Sequence, residues 1–469
     1  LNPGRLARRL ARRARRDPLL REIAGAASEV RARVFLVGGT VRDAALGAEV
    51  TDLDLVSDRG FSRLVSRLQE MWRTRGFRFR KRGVTTWRFS VGGREVDLVD
   101  ATRRGLLEDL RRRDFTINAI AYDLLENEVV DPLGGLRDFR LGRLDLPRPG
   151  VIREDPVRAL RAARFLAELP RFRLGREARR EAALVAHLLP RAPVERIRPE
   201  LDRLLASPAP SRGLRAMDSL GSLSALLPEL GSLRSCAAGK NRPDVWRHTL
   251  EAIARSEKPG RLPGGEAMRT PEGRLAVRWA LLLHDIAKPD TLVYRDGRPT
   301  FYGHELLGSR KAERLLRRLG APRSLRRRVS RLVALHLRPS LLAEAGCPPR
   351  GMRRLAREAG EELPLLAFHA ACDALGSGEP GARRRWARLR KALLALLEEA
   401  DQAGRSDSPP LVTGDDVMSI LGIPEGPLVG QVLEDVREAQ ASGAIRTRAE
   451  ALSYLRDRKD ARNGPARRS

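Results

Sequence analysis

The stretch that most constrains this chain is residues 34–57, Val34-Phe-Leu-Val-Gly38-Gly39-Thr-Val-Arg42-Asp43, an eight-residue connection, then Asp52-Leu-Asp54-Leu-Val-Ser57. Val34 to Val37 reads as a buried strand closed by two glycines, which let the backbone bend and come close to a ligand that a Cβ would exclude. A helix opening at Thr40 would present free N–H groups to an anion. In the second apolar run, Asp52 and Asp54 share one face of a strand, roughly 6.6 Å apart along the chain. Paired carboxylates repel unless a cation lies between them, and oxygen ligands suit magnesium. An isolated Asp-x-Asp is more often a turn cap followed by a solvated strand edge; the glycines upstream reverse the balance toward a metal-binding reading.

Before this stretch, residues 5–31 alternate Arg with Leu and Ala at helical spacing and predict one basic amphipathic helix. After it, the pattern predicts a helix over 61–72 and strands near Phe77–Phe79, Thr85–Val91 and Glu95–Val99, with Gly92-Gly93 as a hairpin turn. On the last strand Asp97 and Glu95 share a face while Asp100 takes the other, and a one-residue slip would exchange the two sets. Downstream comes Leu110-Arg-Arg-Arg113-Asp114-Phe-Thr-Ile-Asn118, whose arginines offer forked donors to phosphate and whose Asp and Asn offer acceptors to a ribose hydroxyl. Gly134-Gly135 supplies the backbone freedom a hinge would use. In Glu154-Asp155-Pro-Val-Arg158-Ala-Leu-Arg161 the proline marks a helix start, and Asp155, Arg158 and Arg161 fall along one side. The plain alternative for this segment is an acidic cap followed by exposed arginines.

Taken together, these motifs resemble the class II tRNA nucleotidyltransferase and bacterial poly(A) polymerase branch of the nucleotidyltransferase superfamily. The resemblance implies that Gly38, Gly39 and Arg42 hold a triphosphate. It also implies that Asp52, Asp54 and a third carboxylate bind two magnesium ions. Asp97 is the choice for that third ligand, with Glu95 and Asp100 left open. By the same resemblance Asp114 recognises the ribose beside Arg113 and Asn118, and Asp155, Arg158 and Arg161 read the incoming base in place of a nucleic-acid template. Glu195-Arg-Ile-Arg-Pro-Glu200 is similar to the remaining neck motif, for which a structural role is expected. Ser207-Pro-Ala-Pro-Ser211 marks a linker or helix break.

Five of the six histidines lie between residues 246 and 373. His284-Asp285 with a distant Asp373, and imidazoles on successive predicted helices, form a pattern suited to divalent metals. This region resembles the HD phosphohydrolase domain. The resemblance implies a site of His248, His284, Asp285 and Asp373, with His304 and His336 completing a second one for a divalent transition metal. The alternative is a degenerate HD fold retained for packing. Beyond the linker at 406–410, two Gly- and Pro-containing turns resemble the family's C-terminal tRNA-contacting module, and the chain from Arg456 is expected to be a disordered basic tail.

At 469 residues the chain is long enough for three or four units. The expected divisions are a catalytic head (1–145), a helical neck (146–235), an HD region (236–405) and a C-terminal module with its tail (406–469). The predicted fold class is α+β, a small mixed sheet followed by mainly helical regions. Ninety Lys and Arg against 60 acidic residues, a formal charge of +30, favour a polyanionic partner, although only seven of the 90 are Lys and a bias toward Arg inflates the count. Three scattered cysteines suit a reduced cytoplasm. No apolar run approaches a membrane span, and the Arg-rich start lacks the apolar core of a signal peptide.

The expected activity is template-independent extension of the tRNA 3′ end with CTP and ATP, using Mg2+. Poly(A) polymerase and a CC-adding specialist are the alternatives within the family. An HD phosphohydrolase with an RNA-binding head is the alternative outside it. The CC-only reading rests on the short interval from Leu98 to Arg111, fourteen residues that leave little free loop to reshape a pocket.

Overall fold

The computed structural model describes residues 3–463 apart from 49–51, 82, 237–243, 261, 297, 377–381, 406–410 and 442–443. The expected linker at Ser406–Pro410 therefore lies outside the described residues. The architecture is the α+β arrangement read from the sequence: one mixed sheet near the N-terminus and helices beyond it.

The head is a seven-stranded sheet of β1 (Arg33–Val37), β2 (Leu53–Arg59), β3 (Phe77–Lys81), β4 (Val84–Val91), β5 (Arg94–Asp100), β6 (Ala121–Asp123) and β7 (Val129–Val130), in the order β3-β4-β5-β2-β1-β6-β7. Within this sheet, among the described residues, only β2 and β5 run parallel, with Asp54 opposite Asp97 and Leu55 opposite Leu98. The hairpin turn falls where expected, Gly92 and Gly93 both taking positive φ. Alternation sorts the sheet into two faces. Leu53, Leu55, Val96 and Leu98 turn to a core shared with the N-terminal helices and with Phe61–Met71. Phe35, Val37 and Val56 turn the other way, onto Leu110 and Ala119.

The N-terminal segment differs from the single helix that its periodicity predicts. It forms two helices, Pro3–Arg16 and Pro18–Glu29, because Pro18 cannot continue the first, and Asp17 caps the second by accepting from Leu19 N. Gly134-Gly135 is not a loose hinge. Asp131 accepts from the Gly135 and Leu136 amides at 2.7 and 2.8 Å, and a Cβ on Gly135 would lie 2.2 Å from the Thr116 carbonyl oxygen, so this glycine serves close packing. The disordered tail expected from Arg456 is corrected as far as Asn463: the helix Arg448–Asn463 continues through it, with Arg458 donating to Asp435 at 2.5 Å, and residues 464–469 lie outside the described residues.

The largest core runs without interruption from Val157 through the helices of the neck to Leu396. At its centre Arg278, 3% exposed, donates to the carbonyls of Leu205 (2.6 Å) and Ser207 (2.7 Å) and to Ser256 Oγ (3.2 Å). The 207–211 stretch is thus a helix break fastened to the following helices. Next to it, Trp279 Nε1 donates to Asp202 at 2.9 Å. Arg278→Leu would orphan these buried carbonyls, and chemical denaturation should show a loss of roughly 2–4 kcal/mol; a loss under about 1 kcal/mol would mean the clasp contributes little.

Candidate active site and metal centre

The head's cavity, about 390 Å3, lies at the ends of β2 and β5 and is lined by Gly39, Asp52, Asp54, Asp97, Glu95 and Arg88 among others. Gly38 caps the following helix with φ +67°, and a Cβ there would sit 2.7 Å from Arg113 Nη1 and 3.0 Å from Asp54 Oδ2, so only glycine fits. Thr40 ties this turn to the second strand, its Oγ1 accepting from Asp54 N at 3.0 Å. Asp54 and Asp97 stand side by side in register; Asp52, just before β2, is exposed at the rim. Glu95 shares the face and lines the cavity, whereas Asp100 is turned away into a turn with Thr102.

Burial raises the Asp54 carboxyl above its ordinary value; the Arg113 charge opposes that rise and the Asp97 charge adds to it. Such a pair accommodates a divalent cation, whose charge would relieve the repulsion. On the adjacent strand Arg88 holds both oxygens of Asp97 at 2.7 Å and reaches Glu95 at 2.9 Å.

Arg42, Asn118, Asp114 and Arg161 form a single polar network. Arg42 Nη1 donates to Asn118 Oδ1 (2.8 Å), Asn118 Nδ2 donates to Asp114 Oδ1 (2.8 Å), and Arg161 pairs with Asp114 Oδ2 at 2.9 Å. Asp114 is 5% exposed; burial alone would raise its carboxyl, but Arg161 and the Asn118 hydrogen bond hold it below the ordinary range. Arg113 is steered by Asp109, fully buried, which binds it at 3.0 Å and also engages Arg112.

Asp155 is not on the same helix as Arg158 and Arg161. It occupies an extended joint (φ −142°, ψ 93°) between the helices Val151–Glu154 and Val157–Glu168, because the residue before a proline avoids the helical region. Its Oδ2 accepts from Arg196 at 2.6 Å, while Arg158 donates to the carbonyls of Val151 (2.9 Å) and Arg112 (2.6 Å).

The second centre lies in the helical region. His248, His284 and Asp285 form one group of potential ligands, and Asp285, His304 and His336 form another, with Asp285 common to both. Asp373 joins the first group at 2.8 Å from His248 Nε2 and 3.5 Å from His284 Nε2. The Nε2 atoms approach in pairs, His284 to His248 and His304 to His336, each at 3.3 Å. Local geometry explains the convergence: Nδ1 of His284, His304 and His336 lies 2.9, 2.6 and 2.7 Å from the carbonyl three residues earlier. Donation at Nδ1 leaves Nε2 as an inward-facing acceptor, the arrangement in which imidazole binds a metal.

Both oxygens of Asp285 are buried, with His284 Nε2 3.2 Å from Oδ2 and His304 Nε2 3.4 Å from Oδ1. Lys288 Nζ lies 2.7 Å from one of them. Burial would lower the basicity of His284, yet Asp285 and Asp373 outweigh it and push it up to about 10; His336 is pushed down to about 3 by burial and by His284. A set of inward imidazole and carboxylate donors fits divalent cations.

Sequence reasoning missed Arg88, Asp109, Lys288, Arg196 and His369. Arg88 was within reach, because the Gly92-Gly93 turn pairs Val91 with Arg94 and hence Arg88 with Asp97. Lys288 follows Asp285 by three residues, nearly one helical turn, and was also legible. Arg196 and Arg203, which comes from the neck to line the head's cavity, depend on tertiary packing and left no local signal. His369 is fully buried, its ring 5.5 Å from that of His284.

The chain matches the poly A polymerase head domain over residues 34–145, a region described as a probable RNA and SrmB-binding site of polymerase A over 171–233, and the HD domain over 245–375. An A-adding tRNA nucleotidyltransferase of Deinococcus radiodurans is 35% identical over 442 residues, spanning 90% of this chain and 94% of the relative. A CC-adding tRNA nucleotidyltransferase of Thermus thermophilus is 33% identical over 439 residues, spanning 90% and 92%. The fold aligns with that of a Thermotoga maritima CCA-adding enzyme solved in complex with tRNA, at 19% identity, TM-score 0.63, and 97% and 98% coverage. The extent of the match to the curated relatives, over nearly their whole length, places this chain in the tRNA nucleotidyltransferase family with a poly(A) polymerase-type head.

Proposed function

We propose that this chain adds CMP and AMP, from CTP and ATP, to the 3′ end of tRNA without a nucleic-acid template. The observation that carries this reading is the in-register pair Asp54 and Asp97, facing a cavity beneath a turn at Gly38 whose positive φ would strain any other residue. The names of the two relatives supply the tRNA substrate and the two halves of the product, A and CC.

In this reading Asp52, Asp54 and Asp97 hold Mg2+. When bound, it supplies activation of the RNA 3′-hydroxyl and stabilisation of charge at the phosphoryl group as pyrophosphate leaves. The amides after Gly38 and the guanidinium groups of Arg42 and Arg113 orient the triphosphate. Asp114, kept ionised by Arg161, accepts from the ribose. Arg158 and Asp155 present donor and acceptor edges to the base once their protein partners yield. Arg88 fixes the Asp97 carboxylate. A cytoplasmic location is part of this proposal, in keeping with a tRNA substrate and three free thiols; among the described residues no helix is long and apolar enough to cross a membrane.

The HD centre supports a second activity, metal-dependent hydrolysis of a phosphoester such as a cyclic phosphate at an RNA end. Its support is the doubled donor set sharing Asp285, with His248, His284 and Asp373 on one side and His304 and His336 on the other.

Three outcomes are expected. End-trimmed tRNA incubated with CTP and ATP should acquire a terminal CCA when products are sequenced; CC alone, a lone A on a CC-ended tRNA, or an unbroken A tail would assign the narrower reactions instead. Asp54→Ala or Asp97→Ala should lower the addition rate by at least about a hundredfold with the melting temperature preserved, since charge rather than packing is removed. Protein reconstituted with manganese, cobalt or nickel should retain metal after dialysis, by elemental analysis, and Asp285→Ala should release it; equal retention by the variant would place the metal elsewhere.

A further inference from the structure

The helices His304–Arg318 and Arg323–Leu335 carry His304 and His336 on their buried side. Their solvent side is also shaped. A cavity of about 1160 Å3 lies along it, lined by Arg310 and Arg314 from one helix and Arg327, Arg328 and Arg331 from the other, and closed by the Ala359–Glu362 turn. Arg310 and Arg314 are four residues apart, as are Arg327 and Arg331, so each pair projects from one helix face about 6 Å apart along the axis. The cross-links Ser309 Oγ to Ser330 O (2.8 Å) and Arg326 to Glu313 (2.9 Å) set the antiparallel register, which brings Arg310 level with the Arg327–Arg331 stretch. Four guanidinium groups therefore mark the corners of one groove.

Most nearby carboxylates are already committed. Glu362 binds Arg328 at 2.6 Å and Glu313 binds Arg326. Arg310, Arg314 and Arg327 are exposed and have no ion-pair partner among the described residues, and Glu361 is the remaining acidic group on the lining. Like charges this close repel unless an anion lies between them. The groove exceeds the roughly 300–1,000 Å3 that encloses a small ligand, which favours a polymer over a free nucleotide. Forked, always-charged guanidinium groups repeated along a groove suit successive phosphates of a nucleic-acid backbone.

We propose that this groove holds the phosphodiester backbone of the tRNA substrate, making the HD region part of the RNA-binding surface. The proposal rests on the tRNA substrate of the function given above.

The test compares two charge-reversed pairs in the full chain. Arg310→Glu with Arg314→Glu alters the groove; Arg317→Glu with Arg323→Glu alters exposed arginines on the same helices outside it and changes net charge equally. tRNA binding is measured by filter retention across a salt series. The groove pair should weaken binding about tenfold near physiological salt and reduce the log–log salt slope by about two, one for each phosphate no longer neutralised. The outside pair should change affinity less than about threefold. The groove variant should keep its rate of nucleotide addition at saturating tRNA, the defect appearing in KM. Equal weakening by both pairs would overturn the proposal, as would no weakening by the groove pair, or displacement of tRNA from the wild-type groove by polyglutamate as readily as by RNA. Arg310→Gln with Arg314→Gln, which removes charge without reversing it, should preserve the ordering if the Glu variant melts early. Wild-type protein that binds tRNA with these differences yet adds no nucleotide would refute the assigned reaction and leave the groove intact.

Discussion

Two carboxylates held in register across a parallel strand pair are the constraint on which the head depends. Asp54 and Asp97 cannot separate without breaking the β2–β5 ladder, and that ladder is buried on its far side by Leu53, Leu55, Val96 and Leu98. The apolar face thus keeps the acidic face together, since slipping either strand by one residue would bring leucine into the cavity and carboxylate into the core. The surrounding guanidinium groups then act as fixed counter-charges. Arg88 reaches Asp97 from the next strand, while Arg113, steered by buried Asp109, reaches toward Asp54 over a glycine that leaves it room.

The HD centre solves a similar problem with different materials. Here the shared acid is buried Asp285, placed between two pairs of imidazoles and a lysine, with Asp373 beside the first pair. Backbone carbonyls fix the tautomers, so neutral rings can turn acceptors toward a common point without bringing charge into the core. With Asp285 and Asp373 both facing His284, the apo cluster draws a proton onto that ring; a divalent cation would take the proton's place. The two centres therefore differ in donor chemistry: oxygen alone in the head, nitrogen and oxygen in the helical region.

Much of this was legible in the sequence because local rules specify it. Alternation put Asp52 and Asp54 on one face, the family resemblance pointed to Asp97 with Glu95 and Asp100 left open, the Gly-Gly turn set the β4–β5 hairpin, and the spacing of His284-Asp285 and Asp373 indicated a metal centre. What stayed hidden was tertiary. The pairing of Asp155 with Arg196 joins segments 41 residues apart, and Arg278 crosses more than seventy residues to reach Leu205 and Ser207. Two errors were local and instructive. A strong amphipathic period from 5 to 31 obscured the break that Pro18 imposes, and a charged composition from Arg456 onward obscured the continuation of the last helix to Asn463. In both cases periodicity or composition was read over the residues that decide the backbone.

The short interval between the third carboxylate and the arginine motif takes on a different meaning in the fold. Leu98 to Arg111 is not a loop cut short. It finishes β5, turns at Asp100 and Thr102, and becomes the helix Gly105–Arg111, whose Asp109 grips both Arg112 and Arg113. A tether of this kind transmits position rather than permitting movement, so Arg113 is set against Gly38 by a segment continuous with the strand that carries Asp97. The end of the site proposed to hold the triphosphate is thereby fixed from both sides. The base end is built otherwise: Asp155 stands in an extended joint between two helices, and Arg158 is held by two backbone carbonyls that a base edge could replace. On the proposed assignment of Asp155 and Arg158 to the base, discrimination between C and A falls where exchangeable hydrogen bonds and an unhelical backbone coincide, rather than at the rigid floor formed by the strands.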